Sequence, residues 1–248
     1  MWLMGAGALL AVAGIGAWVL RSPWSSSRGE VSVSQPRGPS KADAATPVGL
    51  NGEGVVELRE LRLFTKSDTD TAVYYVGELV NVGTQVVAHP RAEIVLFDGQ
   101  RRVLGEASCD AMVVLDLEPG QAVPCTGVVS KGSGFTSHRI TTSYSAPDGG
   151  RRAAELSIAE LDSAAPRERF AAHRVTGRIT NRSAFDASDV WIIVGLYGDD
   201  GKIVGAGRTT LADTPLSAGG TGPFSVSIFN VSGKSKTSRV QVFGYERR

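Results

Sequence analysis

Few residues in this chain are of types that do chemistry, and they are scattered. There are two cysteines, Cys109 and Cys125, and three histidines, His89, His138 and His173. A transition-metal centre needs His, Cys or carboxylate ligands at close spacings, and none of the histidines has one. Serine is plentiful, but no GxSxG elbow or Ser-x-x-Lys set is present. No glycine-rich loop is followed by Lys and Ser or Thr, so phosphate has no cradle at a helix start. Asp199 and Asp200 place two carboxylates in one turn, short of the roughly six to eight oxygens that calcium takes. Asn181-Arg182-Ser183 and Asn230-Val231-Ser232 are glycosylation sequons that matter only on a eukaryotic secretory route. Asn81 and Asn181 end apolar runs, where an asparagine side chain bonds nearby backbone in a turn. The sequence therefore predicts no catalytic residue, no metal and no cofactor.

The elements that position these residues are written twice. "GELVNVGTQVVAHPRAEIVLFDG" starts at Gly77 and "GRITNRSAFDASDVWIIVGLYGD" at Gly177. At this spacing Asn81 meets Asn181, Leu96 meets Leu196, Phe97 meets Tyr197 and Gly105 meets Gly205. After a one-residue deletion, Leu117, Gly120 and Pro124 meet Leu216, Gly219 and Pro223. Copies this long can each hold a core, unlike solenoid repeats of about 20–45 residues. Within a copy the period is two: in "RVTGRIT" Val175, Gly177 and Ile179 share one face, and in "FSVSIF" Phe224, Val226 and Ile228 do. "DVWIIVGLY" is apolar on both faces and predicts a strand covered on both sides. Turn signals such as "FDGQRR", "YGDDGK", "LEPGQ" and "LSAGG" separate the runs. One-faced antiparallel sheets must bury their apolar faces, so two tandem β-sandwich domains follow, 54–148 and 149–248.

The cysteines differ between the copies. Cys109 and Cys125 lie in the first, and their counterparts are Thr209 and Phe224. The pair flanks "LDLEPGQAV", and an antiparallel return centred near Leu117 brings positions 109 and 125 opposite each other. A disulfide there closes a loop of about 15–17 residues and requires an oxidising compartment. The alternative is two buried thiols acting as small apolar side chains.

Residues 1–20, "MWLMGAGALLAVAGIGAWVL", carry no charged side chain. As a helix they span about 30 Å, a bilayer's hydrocarbon thickness, with Trp2, Trp18 and Trp24 near the ends. A transmembrane anchor is expected. A cleaved signal, cut near "AVAG", is the alternative, although it lacks a basic start. An apolar run beginning at residue 1 suggests an upstream segment. Residues 21–53 are rich in Ser, Pro and Gly and read as a flexible linker. Arg21 and Arg28 follow the helix and by the positive-inside rule favour a cytoplasmic position for the rest. Only two charges carry that signal, and an upstream segment would change the count, so the apolar run and the linker are read as holding the domains on the extracytoplasmic side, which is the localisation expected and the one a disulfide would require. With Lys+Arg 26 against Asp+Glu 25, no basic stripe points to nucleic acid as a partner.

A G-x-φ-x-N strand end, a strand closing in L-[FY]-[DG] and an "L-x-x-G" turn resemble the FxLYD domain family of prokaryotic envelope proteins. "VLFDGQRRVLG" and "GLYGDDGKIVG" carry the likeness. Phe97 and Asp98 stand at the Tyr-Asp position of the first copy. In the second, Tyr197 is followed by Gly198, with acid moved to Asp199 and Asp200. The resemblance implies immunoglobulin-like sandwiches behind a signal or anchor, and no catalytic residue. The expected function is a non-enzymatic, membrane-tethered envelope protein whose two domains serve as interaction or structural modules. Alternatives are a carbohydrate- or wall-binding module, for which Trp191, Tyr74 and Tyr75 are the aromatic candidates, and a hydrolase with a non-local site such as His89 with a serine.

Overall fold

Runs of Val, Ile, Leu and aromatic residues, alternating with polar ones and cut by Gly, Pro, Asn and Asp, form strands throughout the computed structural model. It describes residues 55–110, 116–147, 151–164, 170–211 and 215–247. The expected anchor (1–20) and linker (21–53) lie outside the described residues. Among the described residues every regular element is a strand, and no helix is long and apolar enough to cross a membrane.

The first half carries β1 (Val56–Phe64), β2 (Val73–Asn81), β3 (Val87–Phe97), β4 (Val103–Asp110), β5 (Asp116–Leu117), β6 (Ala122–Val129) and β7 (Ser137–Ser145). The second carries β8 (Leu156–Ala164), β9 (His173–Asn181), β10 (Ala187–Tyr197), β11 (Ile203–Thr210), β12 (Thr221–Ile228) and β13 (Thr237–Glu246). In the first half β1-β2-β6 form one sheet, and β3 pairs with β4, β5 and β7 in another. In the second half the sheets are β8-β9-β12 and β11-β10-β13. All pairings are antiparallel. The architecture is all-β and β-sandwich-like.

The duplication extends to backbone irregularities. Glu60 and Glu160 take left-handed φ values of 53° and 54°, and His89 and Asp189 both take 49°. Each sits in a register shift, where β1 slips against β2 and β8 against β9, or β3 against β7 and β10 against β13. These are β-bulges, which add one residue and twist the strand. Asn81 and Asn181 are fully buried. The Asn81 amide donates to the carbonyls of Gln85 (2.7 Å) and Leu117 (2.8 Å) and accepts from Gly83 N (3.0 Å). Asn181 does the same with Phe185 (2.8 Å), Leu216 (2.9 Å) and Ser183 N (3.0 Å). Each asparagine thus ties two turns together and satisfies backbone groups that burial would otherwise orphan.

Leu79, Ile94, Leu96 and Leu117 fill the core between the first two sheets, and Ile179, Ile192, Leu196 and Ile228 the core between the second two. A third cluster joins the halves: Val76 on β2 packs with Tyr197, Ile203 and Ala206 of the second half, and Phe64 adds to it. The outer face of β1-β2-β6 therefore lies against the outer face of β11-β10-β13. The double-sided apolar pattern of β10 reflects this: Ile192, Val194 and Leu196 enter their own core, while Trp191 and Ile193 pack against the core of the first half.

Candidate functional site

The seam between the halves brings together the side chains with the most unusual surroundings. Gly195 on β10 permits close approach, because a Cβ there would stand 3.0 Å from Pro124 Cγ on β6 and 2.9 Å from the Tyr197 hydroxyl. Polar bonds cross the seam as well. The Tyr197 hydroxyl donates to Glu78 Oε1 at 2.6 Å, and Gln241 Nε2 donates to the Ala122 carbonyl at 2.7 Å. Ile203 N donates to Glu60 Oε2 at 3.2 Å, and Arg62 pairs with Asp200 at 2.9 Å. Burial, then the bond to Glu78, raises the Tyr197 hydroxyl well above its ordinary pKa.

Beside these bonds is a cavity of about 330 Å³ where the edge strands β4, β6 and β11 meet. Tyr75, Ser108, Asp110, Thr126, Ile193 and Arg208 are among its lining residues. The Tyr75 hydroxyl donates to the Ser108 carbonyl at 2.6 Å, and its ring lies against Gly127, where a Cβ would overlap it. Burial first, then the charge of Asp110, pushes the Tyr75 hydroxyl up to about 12, while Arg208 acts to lower it. Ser108 Oγ is buried with no hydrogen-bond partner. The Arg208 guanidinium stands 5.9 Å from the Trp191 ring centroid.

Cys109 and Cys125 are joined, with Cα atoms 5.7 Å apart and a sequence separation of 16. Their placement corrects the expected antiparallel return. Cys109 lies on β4 and Cys125 on β6, in different sheets, so the bridge crosses the core instead of closing a hairpin. The cause is β5: Leu117 pairs with Val87 in the β3 sheet, and the chain changes sheets in the turn where Gln121 N donates to the Glu118 carbonyl (3.0 Å). In the second half the Phe224 ring takes the corresponding place and lies against Gly177.

The other candidates are not gathered into one site. Trp191 is half-buried against the core of the first half and pairs in register with Phe243. Tyr75 is buried in that core, and Tyr74 stands 5.8 Å from Phe64 with the Lys66 ammonium 4.5 Å from its ring centre. His89 is exposed at a bulge, and burial lowers the pKa of His138. His173 Nε2 lies 2.7 Å from the Ser163 hydroxyl, a contact that the sequence reading missed. Among the described residues no carboxylate bonds that imidazole to orient it, as a Ser-His-acid arrangement requires. Asp200 accepts from Lys202 N and Arg62, and Asp199 pairs with Lys236, so this turn is held by cations of the protein itself. No group of three or more potential metal ligands occurs among the described residues. Asp110, Ser108 and Arg208 had no local signal, since only the packing of two halves juxtaposes them.

No protein-family model and no curated protein matches the chain. Among solved structures, red sea bream transglutaminase matches with 9% identity and a TM-score of 0.22, over 79% of this chain. The match spans 29% of the transglutaminase chain, and at that score it carries no inference about fold or activity.

Proposed function

We propose that the chain is a non-enzymatic, membrane-tethered envelope protein whose two FxLYD-like, immunoglobulin-like domains act together as one interaction module outside the cytoplasmic membrane. The observation that carries the reading is the Cys109–Cys125 bridge across the first core. Disulfides of this structural kind persist in oxidising compartments and are rare where thiols are kept reduced. The apolar run 1–20 supplies the tether and the linker 21–53 the reach. The seam supports joint action, because Val76, Tyr197, Ile203 and Ala206 are buried between the halves and would expose an apolar patch if they parted.

The test is made in the cell that makes the protein. Protease added to intact spheroplasts is expected to digest residues 54–248, and the protein extracted without reductant is expected to show no reactive thiol after unfolding. Protection from protease until lysis, with two titratable thiols per chain, overturns the proposal.

A further inference from the structure

Asp110 ends β4 in the first half, and Arg208 lies on β11 in the second. Neither takes part in an ion pair among the described residues. Both line the same seam cavity of about 330 Å³, together with Ser108, whose Oγ is buried and has no partner. The Tyr75 proton is committed to the Ser108 carbonyl, so its oxygen can only accept. Trp191 holds the Arg208 guanidinium near its ring, 5.9 Å from the centroid.

We propose that this cavity binds a small zwitterion of the free α-amino acid type, with its carboxylate on Arg208 and its ammonium on Asp110. A simple anion would satisfy Arg208 but face the Asp110 carboxylate, and a simple cation would meet the reverse conflict. One molecule carrying both charges satisfies both groups, and the planar guanidinium suits a carboxylate. The volume is at the small end for ligand sites, which favours an amino acid over a nucleotide or an oligosaccharide. Pro124, Ile193 and Ala206 give the remaining wall an apolar surface for a short side chain. The site occurs once per chain: the repeat counterpart of Ser108 is Arg208 itself, and that of Asp110 is Thr210.

The experiment titrates the full chain in detergent micelles with glycine, L-alanine, D-alanine, L-serine and L-glutamate by calorimetry. Alaninamide, which lacks the carboxylate, and N-acetylalanine, which lacks the ammonium, are the controls. At least one amino acid is expected to bind, with the matching controls weaker by about tenfold or more. Arg208→Gln and Asp110→Asn are each expected to weaken binding by a similar factor without moving the melting temperature. Because the controls use the unaltered protein, the test stands even if a variant unfolds. No heat from any amino acid up to about 10 mM, or controls binding as well as the amino acids, overturns the proposal.

Discussion

Val76 and Thr176 occupy one position of the repeat in opposite surroundings. Val76, on β2, is sealed in the seam, while Thr176, on β9, is only half-buried on the face of its sheet turned away from the core. The same holds along the strands: Val80 corresponds to Thr180, and Glu78, bonded to Tyr197, to Arg178. On the other sheet the relation reverses. Trp191, Ile193 and Gly195 in the seam correspond to Arg91, Glu93 and Val95 on the uncovered face of β3. Each half thus has one sheet that is apolar on both faces and one that is polar outside, but the choice is opposite in the two halves. Unlike faces dock, which is a heterologous contact, and such contacts repeat from copy to copy unless they close a ring or something ends them. Arg91 and Glu93 at one end, and Arg174, Thr176 and Arg178 at the other, end this one.

The strongest way to break the comparison is to place the same charge on both faces. Val76→Asp buries a carboxylate among Tyr197, Ile203 and Ala206 and is expected to cost about 3–5 kcal/mol. Thr176→Asp, at the equivalent half-buried position, is expected to cost less than about 1 kcal/mol. Urea midpoints of the two variants measure the difference. Equal losses would mean that the seam does not hold in solution. In the reverse direction, Glu93→Ile with Arg91→Trp gives the free β3 face seam chemistry, and sedimentation is expected to show two chains associating through that face, because Arg174, Thr176 and Arg178 still end the contact on the other side.

Next in size is the bridge. Replacing Cys109 and Cys125 by alanine together is expected to cost about 3 kcal/mol, the chain-entropy value for a loop of this length. Reductant is expected to lower the wild-type urea midpoint equally and to leave the double variant unmoved. A wild-type midpoint indifferent to reductant removes the bridge from the folded protein. The second half needs no bridge because the Phe224 ring fills that volume, so Phe224→Ala is expected to cost a similar amount, about 3–5 kcal/mol, through the cavity it leaves.

Tyr197 and Phe97 form a third contrast. Tyr197→Phe leaves Glu78 without its seam partner and is expected to cost about 1–3 kcal/mol, whereas Phe97→Tyr, on an uncovered face, changes little. The hydroxyls of Tyr75 and Tyr197 both have pKa values raised by burial, Tyr75 to about 12. The folded state therefore keeps protons that the unfolded chain releases near pH 10. Stability is fully present below that pH and falls as pH rises through about 12, and urea midpoints across this range should decline less steeply in Tyr197→Phe.

Much of this was legible beforehand. The repeat, its strands and the structural role of Asn81 and Asn181 follow from local chemistry, because turns and alternation are written in neighbouring residues. "DVWIIVGLY" announced a doubly covered strand. Its partner across the seam, "VYYVGELV", carries the same absence of alternation and is obvious only beside "RVTGRIT". The cavity residues Asp110, Ser108 and Arg208 were not legible, since Asp110 and Arg208 are separated by most of a repeat and meet through docking alone. The bulges at Glu60 and His89 were missed as well. No glycine marks them, and the left-handed conformation falls on residues that ordinarily avoid it.

The smallest expected effect lies in the turn after the central strand. In the first half Asp98 N donates to the Arg102 carbonyl (3.0 Å) and Arg101 N to the Asp98 carbonyl (3.0 Å). In the second, Gly198 N donates to Lys202 (2.9 Å) and Gly201 N to Gly198 (3.1 Å). Backbone bonding is therefore the same, and so is the left-handed residue, with φ of 61° at Arg101 and 74° at Gly201. The side-chain cap differs only in its source. Asp98 accepts from Arg102 N, the Arg102 side chain and Gln100 N, bonds that hold its carboxyl below the usual range, and Asp200 accepts from Lys202 N. A non-glycine residue in this conformation costs about 1–2 kcal/mol, partly offset by the larger entropy that glycine loses on folding, about 0.5–1 kcal/mol. Arg101→Gly is accordingly expected to stabilise the protein by about 0.5 kcal/mol and to raise the melting temperature by about 1–2 °C. Gly201→Ala tests the opposite sign at the equivalent position, where a Cβ meets nothing within 4 Å and only the backbone cost remains. A melting temperature that rises in Gly201→Ala would show that the two turns, alike in their bonds, are not alike in strain.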